Sequence, residues 1–330
     1  MPLTASVEQF LARRAEAGAV RIDQLPLHQA RDYFARFAPL ADVAARPVHT
    51  VEDVTFDARD GTALAARVYY PRTPDWTNPL PALLYFHSGG YVVGTLETAD
   101  AVCRMLAAAS GCAVVSVDYR LAPEHRFPCA VYDAFDALHW LHRDAGAFAL
   151  DAGRLAVGGE SSGATLAAVT AVHARDAGIA LALQLLIYPA LSALTDSVTH
   201  RLYGEGYFLT LDVIRWIHRT YLRDVNDRHD WRFAPLDGSR HAPASLASLA
   251  PAWIVSAQYD PLRHEHAAYT ARLREAGNRA EARFYRGMIH GFFSMGRVIP
   301  EASIAHRDTV LALRAALGLM DGASDTARDF

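Results

Sequence analysis

The segment Gly159-Glu160-Ser161-Ser162-Gly163 lies between the apolar run RLAVGG and the helical run ATLAAVTAVHARDAG. A serine set between two glycines where a strand turns into a helix can act as a nucleophile. The hydroxyl is weak by itself, so it must be held out of the sheet on a strained turn where a base can reach it. Glycine on either side lets that turn close, and the backbone N–H of Ser162, with the positive end of the following helix behind it, faces the place where an oxyanion would form. Upstream, His87-Ser88-Gly89-Gly90 follows the buried run PALLYF. A glycine pair there can turn the chain or bring backbone N–H donors close to a substrate oxygen. Its position, after an early strand and before the nucleophile, favours Gly89 and Gly90 as oxyanion donors together with Ser162, with His87 orienting the loop.

A serine nucleophile needs a histidine to take its proton and a carboxylate to fix the tautomer of that histidine. Asp260 stands just past the apolar run in AWIVSAQYDPL, where Pro261 stops the strand, and His290 ends the next strand in RFYRGMIHGFF, followed by a glycine that lets the backbone bend. Glu265 is the alternative acid, but it falls inside the helix after Asp260 and reads as a charge on that helix face. His264, His266 and His306 read as surface or satisfied core residues. The order Ser161, Asp260, His290 is the order that α/β-hydrolases use.

These groups need strands to carry them. Val51 to Phe56 and Thr62 to Tyr70 are joined through Asp60-Gly61 and read as an antiparallel hairpin. Strands are then expected at Ala82 to Phe86, Ala113 to Val117, Leu155 to Gly158, Leu181 to Tyr188, Ala252 to Ala257 and Ala282 to Tyr285. Helices alternate with them: Glu97 to Ser110, Cys129 to Ala145, from Ser162, up to about Ala276, and up to about Leu317. That alternation implies an α/β fold with a mostly parallel central sheet covered by helices on both faces. The rhythm breaks between Ala190 and about Ala250, where Leu211 to Tyr221 reads as a helix and no strong strand occurs. With the amphipathic N-terminal segment it reads as a helical cap, formed by residues 1–45 and 191–235, over a catalytic domain of residues 46–190 and 236–320. Residues 321–330, poor in core formers, read as a frayed tail.

The 330 residues, about half of them apolar, suffice for one large domain with an insertion. A net charge of -4 with mixed signs gives no basic stripe, so no nucleic acid partner is expected. The three cysteines, Cys103, Cys112 and Cys129, lack the spacing of a zinc site and read as reduced and buried. The first residues carry charges and no continuous apolar core of a signal peptide, so a cytoplasmic location is expected. No run reaches the ~18 uncharged apolar residues of a membrane span.

Through HSGGYVVG, DYRLAPEHRFP, GESSG, YDPLR and HGF the sequence resembles the hormone-sensitive-lipase-like family of bacterial esterases, from about Val51 to Leu317. The resemblance implies an α/β-hydrolase fold with a cap, often a homodimer, and Gly89 and Gly90 as oxyanion donors; the acyl-enzyme cycle these groups would run requires no cofactor. In DYRLAPEHRFP, Arg120 and Glu124 could pair and brace the loops behind the nucleophile. Two departures stand out: Ser88 where the family usually has glycine, and Glu160 and Ser162 beside the nucleophile where Asp and Ala are common. The expected chemistry is hydrolysis of a small ester through an acyl-enzyme, with Tyr91, Tyr188, Phe208 and Leu209 as candidate pocket walls. An amidase or lipase would use the same groups. A receptor on this fold that binds a small molecule without turnover is the alternative from another class, and the retained His290 argues against it.

Overall fold

A computed structural model of the chain describes residues 2–18, 20–239, 241 and 245–320. The region expected to be a frayed tail lies outside them. Two helices open the chain, α1 (Ala5–Glu16) and α2 (Leu27–Ala41). The hairpin follows as β1 (Thr50–Asp57) and β2 (Ala63–Tyr70), paired antiparallel. Then come β3 (Leu80–Phe86), α3 (Leu96–Ser110), β4 (Ala113–Val117), α4 (Cys129–Asp144), β5 (Leu150–Glu160), α5 (Ser162–Asp176) and β6 (Leu183–Ile187). After the interruption, in which α6 (Val198–Tyr203) and α7 (Leu211–Tyr221) form, the alternation resumes with β7 (Ala252–Tyr259), α8 (Arg263–Glu275), β8 (Ala280–Ile289) and α9 (Ala302–Ala316).

Among the described residues the strands form one sheet in the order β1-β2-β4-β3-β5-β6-β7-β8, parallel except for β2, which is antiparallel to both neighbours. This is the α/β-hydrolase arrangement that the sequence predicts. Every residue of β3, β4 and β6 is buried, because helices cover both faces and an alternating polar face would have nowhere to go. One apolar layer packs α4, α5 and part of α8 on the sheet, and the opposite layer packs α3 and α9 with residues of α1. Strand ends differ from the expected ones by a few residues. β5 begins at Leu150, since its first turns pair with β3 through a register shift, and β8 runs on to Ile289, delivering His290 directly from its end.

The insertion after β6 is closed at its base, where Leu236 N–H donates to Leu191 O at 2.9 Å. Within it, Ser197 caps α6 and Thr210 caps α7 through side-chain oxygens that accept backbone N–H groups. Arg31 of α2 ties the N-terminal helices to the loops after β3 and β4, donating to Val92 O (3.0 Å), Ala122 O (2.9 Å) and both oxygens of Glu124 (2.9 and 2.7 Å). The expected Arg120–Glu124 pair is therefore corrected. Arg120 forks onto buried Asp133 of α4 and onto Asp60 of the hairpin turn, carboxylates that reach it across the fold and satisfy more of its donors than a neighbour four residues on. No described helix is long and apolar enough to cross a membrane.

Candidate active site

Ser161 is the single residue between β5 and α5, and it has φ 55° and ψ −118°, a left-handed conformation that a non-glycine residue adopts only when its surroundings enforce it. The enforcement is visible. Its N–H donates to Ile187 O of β6 at 2.9 Å, and its carbonyl already accepts from Ala164 and Thr165 in the first turn of α5. Gly163 runs so close under the end of β3 that a Cβ there would lie 2.0 Å from Phe86 O and 2.5 Å from His87 O. The glycine is thus required by backbone contact.

β7 and β8 bring the other two groups. His290 Nε2 is 3.0 Å from Ser161 Oγ, and His290 Nδ1 is 2.8 Å from Asp260 Oδ2. Asp260 is fully buried and its second oxygen accepts Leu262 N–H at 2.8 Å. Burial opposes its ionisation, but the charge and hydrogen bond of His290 outweigh that, so its carboxyl sits below the usual range. An ionised Asp260 accepts from Nδ1–H, which leaves the Nε2 lone pair facing the serine hydroxyl. Behind the imidazole, Tyr188 packs its ring 4.6 Å away and donates its hydroxyl to Glu160 at 2.6 Å, and Ser294 donates to the same oxygen at 2.5 Å. Burial raises the Glu160 carboxyl above its ordinary value, against those two hydrogen bonds.

On the other side of Ser161 lies the glycine pair. Gly89 has φ 126°, and a Cβ on it would meet Val93 O at 2.0 Å. Gly90 donates its N–H to Ser162 Oγ at 2.9 Å. Tyr119, buried and stacked on His87 at 4.2 Å, donates to His87 O at 2.8 Å, and the His87 ring reaches Ser88 O at 2.7 Å. The Ser162 hydroxyl interacts with Tyr119 as well. His87 thus braces the loop, as its position in the sequence suggests, while Tyr119 and the Ser162 side chain are additions that sequence reasoning missed. The only signal for them was Ser in place of the usual Ala.

A family profile described as alpha/beta hydrolase fold matches residues 83–294. The chain belongs to that family, in its hormone-sensitive-lipase-like branch. An ethyl acetate hydrolase of Pseudomonas putida is 38% identical over 294 residues, 87% of this chain and 91% of that protein. An arylesterase of Saccharolobus solfataricus is 33% identical over 307 residues, 92% and 96% of the two chains. Among solved structures, a hyperthermophilic esterase from Pyrobaculum calidifontis is 38% identical with a TM-score of 0.87, covering 96% of this chain and 99% of that one.

The hydrolase has a cavity of about 40 Å³ beside the serine, bounded by Gly90, Ser161 and Ser162 and, on the insertion side, by Leu209, Ile214 and Ile217. Of the four expected wall residues, Tyr91 and Leu209 line it and Tyr188 and Phe208 do not. Tyr188 is withdrawn because its hydroxyl is bound to Glu160 in the buried layer behind His290. Phe208 sits beside Gly291, on the His290 side of the serine, against Phe10 and Phe37. Glu265 is corrected too. Expected as a charge on the helix face, it is instead 1% exposed, lines the cavity, and accepts the N–H groups of Leu191 (2.6 Å) and Ser192 (2.9 Å) through Oε2. His200 and His218 also line the cavity, and no sequence signal singled them out. Among the described residues no group of three or more His, Cys, Asp or Glu side chains is arranged to hold a metal ion.

Proposed function

We propose that this chain is a serine carboxylesterase acting on short- to medium-chain acyl esters, with Ser161 as nucleophile, His290 as base and Asp260 as the acid that orients it. The continuous chain Ser161 Oγ to His290 Nε2 at 3.0 Å and His290 Nδ1 to Asp260 at 2.8 Å carries the reading. His290 takes the serine proton as Oγ attacks the ester carbonyl, and the N–H groups of Gly89, Gly90 and Ser162 stabilise the oxyanion. Gly90 N–H meets Ser162 Oγ in the free enzyme, so substrate binding must redirect that donor. His290 then protonates the departing alcohol, and the acyl-enzyme is hydrolysed by a water that His290 deprotonates.

Because the alcohol must leave next to His290, it departs on that imidazole's side. The cavity that touches Ser161 and Gly90 but is not lined by His290 accordingly takes the acyl chain. Its small volume favours short chains. The name of the Pseudomonas putida relative, ethyl acetate hydrolase, supports the same preference. Residues 1–45 and 191–235 act as a cap over a catalytic domain of residues 46–190 and 236–320. The hydrogen bond that joins Leu191 to Leu236 and the Arg31 contacts support that division.

Turnover of p-nitrophenyl acetate, butyrate and octanoate by wild type and Ser161→Ala tests the reading, alongside labelling by a fluorophosphonate. Wild type should hydrolyse the short esters and be labelled, and the variant should do neither. Equal turnover by both proteins would remove Ser161 from the mechanism. An unlabelled wild type that still binds esters would favour the receptor alternative.

A further inference from the structure

The acyl cavity is not uniformly apolar. Beside Ile214 and Ile217 its lining includes three buried polar side chains, His200 of α6, His218 of α7 and Glu265 of α8, which are 2%, 6% and 1% exposed. Each has one side-chain atom without a hydrogen-bond partner: His200 Nε2, His218 Nδ1 and Glu265 Oε1. Buried polar atoms are nearly always paired, and leaving three of them so close together is costly unless something else pairs them. The remaining atoms of two of these groups have clear work. His200 Nδ1 meets Ser197 Oγ at 2.7 Å, and Glu265 Oε2 holds the backbone of Leu191 and Ser192. No such local role accounts for the three unpaired atoms of these cavity-lining residues.

His200 Nε2 and Glu265 Oε1 stand 3.9 Å apart, too far for a hydrogen bond between them. That separation spans one oxygen at about 2.8 Å from each, once an acyl chain parts the side chains that close over both atoms in the free protein. Building on the esterase reading, we infer that this lining selects short esters whose acyl chain carries a hydroxyl group near the carbonyl, bound between His200 and Glu265 with His218 alongside. A hydroxyl both donates and accepts, so it satisfies the pair whichever partner holds the proton. Burial lifts the Glu265 carboxyl well above its ordinary range, against the two backbone N–H groups, and lowers His200 and His218. Both directions favour the neutral forms, which suit a neutral hydroxyl better than a carboxylate or an ammonium group.

The test compares kcat/KM for isosteric pairs, ethyl 3-hydroxybutanoate against ethyl 3-methylbutanoate and ethyl 2-hydroxypropanoate against ethyl 2-methylpropanoate. Each ratio is divided by the ratio of the hydroxide-catalysed rates, which removes the electronic effect of the hydroxyl. Wild type should favour the hydroxy ester at least about tenfold in one pair, as sites that pair a substrate hydroxyl do. His200→Leu and His218→Leu, checked for folding by thermal melts, should bring that ratio to about one or below. Glu265 is left in place because its other oxygen supports the backbone. Wild-type turnover of the alkyl esters without a hydroxy preference would overturn the inference and leave the esterase reading intact, as would a preference that both variants retain. No turnover of any ester and no fluorophosphonate labelling would overturn both.

Discussion

Two histidine–carboxylate pairs flank Ser161, and they are built in opposite ways. His290 and Asp260 come from the ends of adjacent parallel strands, meet at 2.8 Å, and have their remaining atoms taken by Ser161 and Leu262. His200 and Glu265 come from α6 and α8, stop at 3.9 Å, and each keeps one atom unpaired. Both carboxyls are fully buried, and burial pushes both toward the neutral form. Contact with the imidazole reverses that push for Asp260, whereas Glu265, with only backbone N–H groups to oppose it, stays raised. About an ångström of separation thus divides a carboxyl pushed toward its charged form, suited to supporting an imidazolium, from a pair pushed toward its neutral form and suited to receiving a ligand.

The largest effect should come from the closed pair. Asp260→Asn keeps the shape but presents an amide to Nδ1, so the imidazole can hold its proton on Nε2 and lose its function as a base. The expected loss in kcat is ~10⁴-fold. Steady-state kinetics on p-nitrophenyl butyrate check this, and a loss under tenfold would mean that the two pairs are less different than their geometry says. At the open pair the largest effect should fall on stability. Glu265→Leu strands the N–H groups of Leu191 and Ser192 at the base of the insertion and should cost about 2–4 kcal/mol in denaturant unfolding. Glu265→Gln, whose amide oxygen can still accept both, should cost far less. Equal losses would show that charge, rather than acceptance, is what the fold uses.

The closed pair could be read from the sequence because each member is tied to a strand end. Strands are marked by short apolar runs, and Ser161, Asp260 and His290 each stand at the first break after one, with Gly163, Pro261 or Gly291 beside it. The sheet does the converging, so residues far apart in sequence could be placed without coordinates. The open pair could not be found this way. His200 lies on a six-residue helix inside an insertion with no repeating pattern, and Glu265 looks like any acid on the third helix position after a turn. What makes them neighbours is how the insertion folds back so that Leu236 reaches Leu191, and nothing local encodes that. Arg120 taught the same lesson, since its partners Asp133 and Asp60 come from a helix and a hairpin on either side of it in sequence.

A smaller effect should sharpen the picture on the oxyanion side. Ser162→Ala removes the oxygen that Gly90 N–H now meets and frees the donor for the substrate. An oxyanion donor contributes on the order of 3 kcal/mol, but the hydroxyl is displaceable, so a rise in kcat/KM of about two- to tenfold is expected. A fall would instead assign the Ser162 hydroxyl a supporting role in the transition state.

The pH dependence of stability separates the pairs most finely. His218 is pushed by burial from its ordinary 6.5 down to about 3, and His266, between Ser256 and Pro189 O, down to about 4. Below pH 6.5 the unfolded chain therefore binds protons at these positions that the folded chain refuses, and stability falls as pH falls toward 4. Glu265 works the other way. Its raised carboxyl keeps a proton in the fold that the unfolded chain gives up above its ordinary 4.5, so its share of stability declines as pH rises from there. Asp260, held low, adds stability that persists throughout this window and is lost only in more acidic solution. Between pH 4.5 and 6.5 Glu265 thus opposes the histidines. Glu265→Gln should steepen the fall of unfolding free energy with acid by up to about 1.4 kcal/mol per pH unit, one proton's worth, and His218→Leu should flatten it by a similar amount. Urea melts at half-unit steps across that range measure both slopes. A Gln variant with an unchanged slope would mean that Glu265 is ionised in the fold, and the open pair would then be charged like the closed one.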